Sequence, residues 1–250
     1  ITSNGWIISA RGFNAAFSNK LLVMIDGRSV YSPLFAGVFW DVQNGLLEDV
    51  ERIEVISGPG GSLWGANAVD GIINIITKNT ADTKGLYVSA AAGTFFKDFG
   101  AVRFGGKTNS GLSYRAYVQR NDYNNPTGPG GIKNHDKWGL TQGGFRLDWI
   151  SRKADQFMVE GNVYGGSAKT LINTSPMNGQ NIMARFTHTY SEKSSLRVQL
   201  YFDRTWRHDY SSYLADLLET YDIDLQHRFS IGEKQSITWG LGYRFMHNDI

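Results

Sequence analysis

The sequence predicts a mainly β protein: part of a transmembrane antiparallel β-barrel, about nine strands long, preceded by a small α+β unit. Three observations predict it. After residue 80, apolar and polar residues alternate with period two over long stretches. The connections between those stretches alternate between short polar turns and longer loops. Glycine is abundant, at 29 residues, and proline scarce, at five, a composition of strands and tight turns rather than of disorder.

A chain of 250 residues can bury one large core or two modest ones. Its 25 Lys and Arg against 23 Asp and Glu leave a net charge of +2, without the basic footprint that nucleic acid requires, so no nucleic-acid partner is expected. The absence of cysteine excludes a disulfide framework, a thiolate nucleophile and a cysteine metal site. No apolar run approaches the ~18 residues of a membrane helix. The longest runs, Leu21 to Ile25 and Ile72 to Ile76, are strand-sized. There is no signal-peptide pattern, and the opening "ITSNGWIISARGF" reads as folded protein, so the sequence is expected to begin inside a domain.

Before residue 80 the apolar residues form short continuous runs, "LLVMI" (21–25), "RIEVI" (52–56) and "IINII" (72–76), as in strands covered on both faces. "GLLEDVE" (45–51) predicts one short helical turn. Beyond residue 80, "LRVQLYFDRTW" places Leu196, Val198, Leu200, Phe202 and Trp206 on one face and Arg197, Gln199, Tyr201, Asp203 and Thr205 on the other. "YDIDLQHRF" (221–229), "ITWGLGYRF" (237–245) and "LSYRAYV" (112–118) repeat the pattern. Strands are expected at roughly 85–94, 98–107, 111–122, 138–150, 155–167, 179–190, 195–207, 218–230 and 235–248. Long loops are expected at 122–137, 168–178 and 208–217. A soluble sandwich with a polar outside and an apolar inside gives the same alternation. Strand length, loop asymmetry and aromatic strand ends (Tyr117, Trp138, Trp149, Trp206, Tyr243) favour the membrane barrel. Arg204 interrupts an apolar face and is therefore expected near a rim, since at the bilayer midplane it would cost ~2–4 kcal/mol.

Between two β-branched runs lies "SGPGGSLWGANAVDG" (57–71). Gly58, Gly60, Gly61, Gly65 and Gly71 permit positive φ, Pro59 fixes a bend, and Ser62 is placed to cap a single turn. The loop has no Gly-Lys-Ser/Thr, and its glycine spacing misses G-x-G-x-x-G, which argues against phosphate binding.

The longer stretch "DVERIEVISGPGGSLWGANAVDGIINIITK" resembles the closing signature of the plug domain of TonB-dependent outer-membrane receptors. "RGF" (11–13) resembles the plug's arginine-glycine motif, and "LLVMIDGRSV" (21–30) its strand and tight Asp-Gly turn. The motif resemblance covers residues 1–80, and beyond them it rests on pattern. It implies part of an α+β plug at 1–80 and the N-terminal strands of an outer-membrane barrel at 81–250, about nine of roughly 22 strands. It also implies the outer membrane of a Gram-negative bacterium, contact with outer-membrane lipid, and coupling to TonB through an N-terminal segment that this sequence lacks. The cargo it implies is scarce, most readily a ferric siderophore, with cobalamin or another metal chelate or glycan as alternatives. In that family Arg11 would help latch the plug to barrel glutamates. A second latch arginine, usual just before the Gly-Pro, is here Ser57. Trp64 is expected in the plug core or against the wall.

The loop "GRSVYSPLFAGVFWD" (27–41) follows the Asp-Gly turn and, by the same resemblance, lies at the plug's outward apex. Tyr31, Ser32, Leu34 and Phe35 are candidate substrate contacts, with packing against the wall as the alternative; Phe39 and Trp40 are expected to pack. Tyr123, His208 and Tyr210 are candidates from two of the loops. The five histidines (135, 188, 208, 227, 247) are scattered, so no metal site is expected, nor any cofactor or catalytic residue. A soluble glycan-active enzyme using Asp222 and Asp224 as acid and base is the reading from another class. A passive porin would leave the plug motif unexplained.

Overall fold

The computed structural model describes residues 4–8, 20–34, 37–65, 67–127, 129–131, 135–151, 154–169, 173–210 and 214–250. By packing, the chain forms two units, residues 1–78 with 124–138 and residues 79–123 with 139–250.

The first unit holds a four-stranded sheet. Its strands are β1 (Leu21–Ile25), β2 (Arg28–Ser29), β3 (Val50–Ser57) and β4 (Gly71–Thr77), in the order β2-β1-β4-β3. β1 and β4 pair in parallel and the other neighbours antiparallel. Asp26 and Gly27, at φ 50° and 86°, make the two-residue hairpin turn whose twist suits flanking strands. The Asp26 carboxylate accepts from Thr77 N (3.0 Å) and Thr77 Oγ1 (2.8 Å), tying that turn to the end of β4. Both faces of β1 are covered, as its continuous apolar run predicts. Leu21 and Val23 pack with Val30 and Val38, while Leu22 and Met24 pack with Ala68 and Ile72. Trp40 packs on the first of these clusters, within its own unit. The helical turn expected near 45–51 is a 3-10 turn, Leu47–Asp49.

β3 pairs with β4 but is the edge of the sheet, and it is exposed within this unit: Val55 is 73% exposed. The loop 58–70 contains one helical turn, α1 (Gly61–Trp64). Gly60 rather than Ser62 is its N-cap, and no side chain caps it. Of the five glycines that permit positive φ, Gly58 and Gly65 adopt it. Gly60 has a different reason: a Cβ there would lie 2.6 Å from Ile72 Cδ1, so glycine lets the loop close onto β4. Trp64 is 37% exposed and belongs to neither core cluster, so of the two positions expected for it, plug core or wall contact, the first is not taken within its unit.

The second unit is built on a nine-stranded antiparallel meander in sequence order. Its strands are β5 (Gly85–Ala92), β6 (Phe96–Lys107), β7 (Leu112–Tyr123), β8 (Trp138–Ile150), β9 (Asp155–Lys169), β10 (Thr174–Ser191), β11 (Ser194–Asp209), β12 (Leu214–Ile231) and β13 (Gln235–Asp249). The short turns 108–111, 151–154, 192–193 and 232–234 share one end. At the other end only 124–137 is a long connection. The loops expected at 168–178 and 208–217 are mostly strand: β9 and β10 pair up to Lys169 and Thr174, and β11 and β12 up to Asp209 and Leu214. A backbone ladder needs no apolar side chains, so pairing continues past the point where alternation fades.

Which face is buried separates the two readings that alternation left open. Arg103, Arg115, Gln119, Gln142, Arg146, Asp148, Glu160 and Gln199 are buried on one face. Val102, Phe104, Val118, Phe145, Ile182, Leu200, Ile223 and Leu241 are exposed on the other. A soluble sandwich would do the reverse. The sheet is a segment of a transmembrane barrel wall, with polar residues toward a lumen and apolar residues outward. Aromatic rows flank the outward band. At the short-turn end Trp149, Phe157 and Phe186 stand at 5.4 and 4.6 Å between successive ring centres, continuing through His188 and Tyr190 (4.4 Å) to His227 and Trp239 (5.8 Å). Toward the long-loop end lie Phe202 and Tyr221 (5.0 Å). Arg204 sits beyond them, near the end of β11, directly opposite Glu219, with 3.5 Å between Nε and Oε1. The charge on the apolar face is thus near a rim and paired.

Candidate functional site

In the first unit, the backbone of Ser32 and Gly37 exchanges two hydrogen bonds (2.8 and 3.2 Å), closing a tight turn that carries Leu34. Ser32 is buried, and among the described residues its Oγ has no hydrogen-bond partner. Tyr31 is half-buried, and burial pushes its hydroxyl above the usual tyrosine range. Tyr31, Ser32 and Leu34 therefore stand together on one short loop. Phe35 and Arg11 lie outside the described residues.

In the second unit the lumen face carries a chain of neutral polar groups across four strands. Gln142 Nε2 donates to Tyr117 OH (2.6 Å), Tyr117 OH donates to Asn162 Oδ1 (2.8 Å), and Asn162 Nδ2 donates to Asn181 Oδ1 (3.2 Å). Gly144 makes this possible. A Cβ there would collide with Asn162 Oδ1 and with the Tyr117 ring, which crosses β8 at that point to reach β9. On the same face, from β10 to β13, charges are paired across strands: Arg244 with Asp222 (2.8 Å) and Arg197 with Asp224 (3.5 Å), while Arg185 donates to Gln199 Oε1 (2.7 Å). This wall offers fixed donors and acceptors. Among the described residues no three His, Asp or Glu side chains converge as a metal would require.

The remaining sequence-derived residues, Tyr123, His208 and Tyr210, are in or beside strands of the second unit. Tyr123 ends β7 and packs edge-on against Phe96 (5.0 Å). His208 extends the outward face beyond Trp206 and stacks on Tyr210 at 4.0 Å. Both rings belong to the outer aromatic row, because strand β11 continues to Asp209 and keeps its alternation, so the long loop expected from 208 is strand up to Asp209. The polar chain from Gln142 to Asn181 was missed. Its members share the polar register of their strands, yet nothing local singles them out. Two grooves of about 470 and 450 Å³, lined largely by Ile182, Leu200, Phe202, Phe145 and Val163, open on the outward apolar face and so are no place for a lumen ligand.

Residues 2–72 match the family described as TonB-dependent Receptor Plug Domain. Residues 2–72 are a TonB-dependent receptor plug domain. The curated protein Ferric enterobactin receptor PirA of Pseudomonas aeruginosa is 27% identical over 88% of this chain, which spans 33% of that protein. Vitamin B12 transporter BtuB of Vibrio vulnificus is 40% identical, over 34% of this chain and 13% of its own length. The chain thus spans a third or less of these curated relatives. Among solved structures, the siderophore receptor PiuA of Acinetobacter baumannii superposes with a TM-score of 0.72 over 99% of this chain and 40% of its own, at 13% identity, a likeness of fold. The segment belongs to the outer membrane of a Gram-negative bacterium, and the nine strands that follow the plug domain are wall strands.

Proposed function

We propose that the chain is the central part of a receptor that binds a ferric siderophore and imports it with energy delivered by TonB. The observation that carries the cargo class is the extent of likeness. Similarity to the ferric enterobactin receptor runs from the plug through the wall strands, whereas similarity to the vitamin B12 transporter covers a stretch about as long as the plug alone. Function lives in sites rather than in a shared fold, so likeness that extends into the wall strands bears on cargo more than likeness limited to the plug.

In this reading Tyr31, Ser32, Leu34 and Phe35 form the plug's contribution to the ligand floor, with Tyr123 near the rim. The Tyr117–Asn162 chain presents hydrogen-bonding groups to the passing ligand. Arg11 contributes to the plug latch, and TonB engages a segment N-terminal to this chain. The protein works as a carrier rather than an enzyme. In support, Asp222 and Asp224 each face an arginine instead of standing free as an acid–base pair.

The test is a tryptophan-fluorescence titration of the full-length receptor with ferric enterobactin, iron-free enterobactin and cyanocobalamin. Saturable quenching by the ferric form, weakened at least tenfold by Phe35→Ala, is the expected result. Quenching by cyanocobalamin alone would replace the cargo and keep the receptor.

A further inference from the structure

The junction after the plug is held in a built seat. Thr80 is fully buried, and Thr83, Ser113 and Asp148 nearly so. Asp148 Oδ2 accepts from Thr80 N (2.9 Å) and Thr80 Oγ1 (2.9 Å), and Thr80 Oγ1 lies 2.7 Å from Ser113 Oγ. Arg146 holds the same carboxylate from the other side, with Nε at 2.9 Å and Nη2 at 3.1 Å, and reaches Glu160 at 3.8 Å. The short 3-10 turn Thr80–Asp82 is capped by Asn79, whose Oδ1 accepts from Ala81 N (2.9 Å). Gly105 on β6 completes the seat, since a Cβ there would collide with the Thr83 carbonyl. Three neighbouring strands, β6, β7 and β8, each give up something to hold four residues of backbone.

Two residues upstream the attachments differ. Lys78 donates from its backbone to Asp49 O (2.7 Å) and from Nζ to Glu48 O (2.8 Å), both in the first unit. Asn79 therefore separates a residue bound to one unit from a residue bound to the other.

We infer that Asp148 is an anchor that keeps Thr80–Thr83 seated on the barrel wall throughout ligand uptake, so that any rearrangement of the plug pivots at Asn79. A carboxylate that is buried, charge-paired and bonded to backbone is costly to abandon. Removing one partner of such a group leaves the others unsatisfied in a buried site. The inference rests on the receptor reading for its role in uptake, but the seat itself does not.

Two experiments on the full-length receptor in lipid test it. The first is hydrogen exchange at the Thr80–Thr83 amides. Slow exchange with and without ferric enterobactin is expected, rising at least tenfold in Asp148→Ala. Unchanged exchange in Asp148→Ala, or loss of protection when the ligand binds, would overturn the anchor. The second uses the absence of cysteine from these 250 residues and the closeness of the two hydroxyls: Thr80→Cys with Ser113→Cys, oxidised to a disulfide. Uptake of ferric enterobactin within twofold of the reduced form is expected. A tenfold loss that reductant restores would show that the segment must leave its seat. Should the wild type import no ferric enterobactin, the receptor reading fails, while the exchange experiment still decides the anchor.

Discussion

The two sheets of this chain use the same residue types in opposite ways. In the four-stranded sheet Leu22, Val23 and Ile72 are buried, and charged Glu51 and Arg52 stand in solvent. In the nine-stranded sheet Arg146, Asp148 and Glu160 are buried and Leu200, Ile223 and Leu241 stand outside. The hydrophobic effect is the same in both, but the surroundings differ. A plug is surrounded by water and protein, so its apolar residues turn in. A barrel wall meets lipid on its outer face, so its apolar residues turn out and its polar residues satisfy one another along the lumen face.

Substitutions in the two sheets should therefore fail for different reasons. The largest effect is expected at Ile72, which is fully buried between β1 and the α1 loop. Ile72→Ala should cost about 2–5 kcal/mol of local stability in the plug, read by hydrogen exchange of β1 and β4 amides, while Val55→Ala on the exposed edge should cost under about 0.5. Next is Leu200→Arg, which should cost about 2–4 kcal/mol in reversible urea unfolding of the full-length receptor in vesicles. Gln199→Glu, on the lumen face where Arg185 already donates to this side chain, should cost far less. Equal costs at 199 and 200 would remove the distinction between faces. Gly144→Ala should cost about 1–3 kcal/mol in the same unfolding experiment, because the added Cβ meets the Tyr117 ring and the carbonyl of Gly161. The smallest effect is expected at Arg204→Ala, about 0.2–1 kcal/mol, since its pairing with Glu219 is loose and partly exposed.

Much of this arrangement was legible in the sequence because its signals are local. Period-two alternation in "LRVQLYFDRTW" gives both the strand and its two faces, and the Asp26-Gly27 pair gives the hairpin. Alternation could not say which face looks outward, since lipid and core both select apolar residues. It also fades where Thr174 and Leu214 continue strands beyond the apolar band, which is why those hairpins were expected as loops and His208 as a loop ligand. The anchor was invisible for another reason: Thr80 and Asp148 are 68 residues apart, and neither position departs from a pattern. The exposure of Trp64 was equally unreadable, because a tryptophan in a glycine loop has no periodic partner to fix its direction.

The central claim is that the apolar face of the nine-stranded sheet meets lipid. The most direct measurement places single cysteines, spin-labelled, at 197 to 202 of the full-length receptor in vesicles, and compares relaxation by oxygen, which concentrates in lipid, with relaxation by a water-soluble nickel chelate. High oxygen and low nickel accessibility at Val198, Leu200 and Phe202, and the opposite bias at Arg197, Gln199 and Tyr201, is the result expected. A reversed pattern, or none with period two, would contradict it.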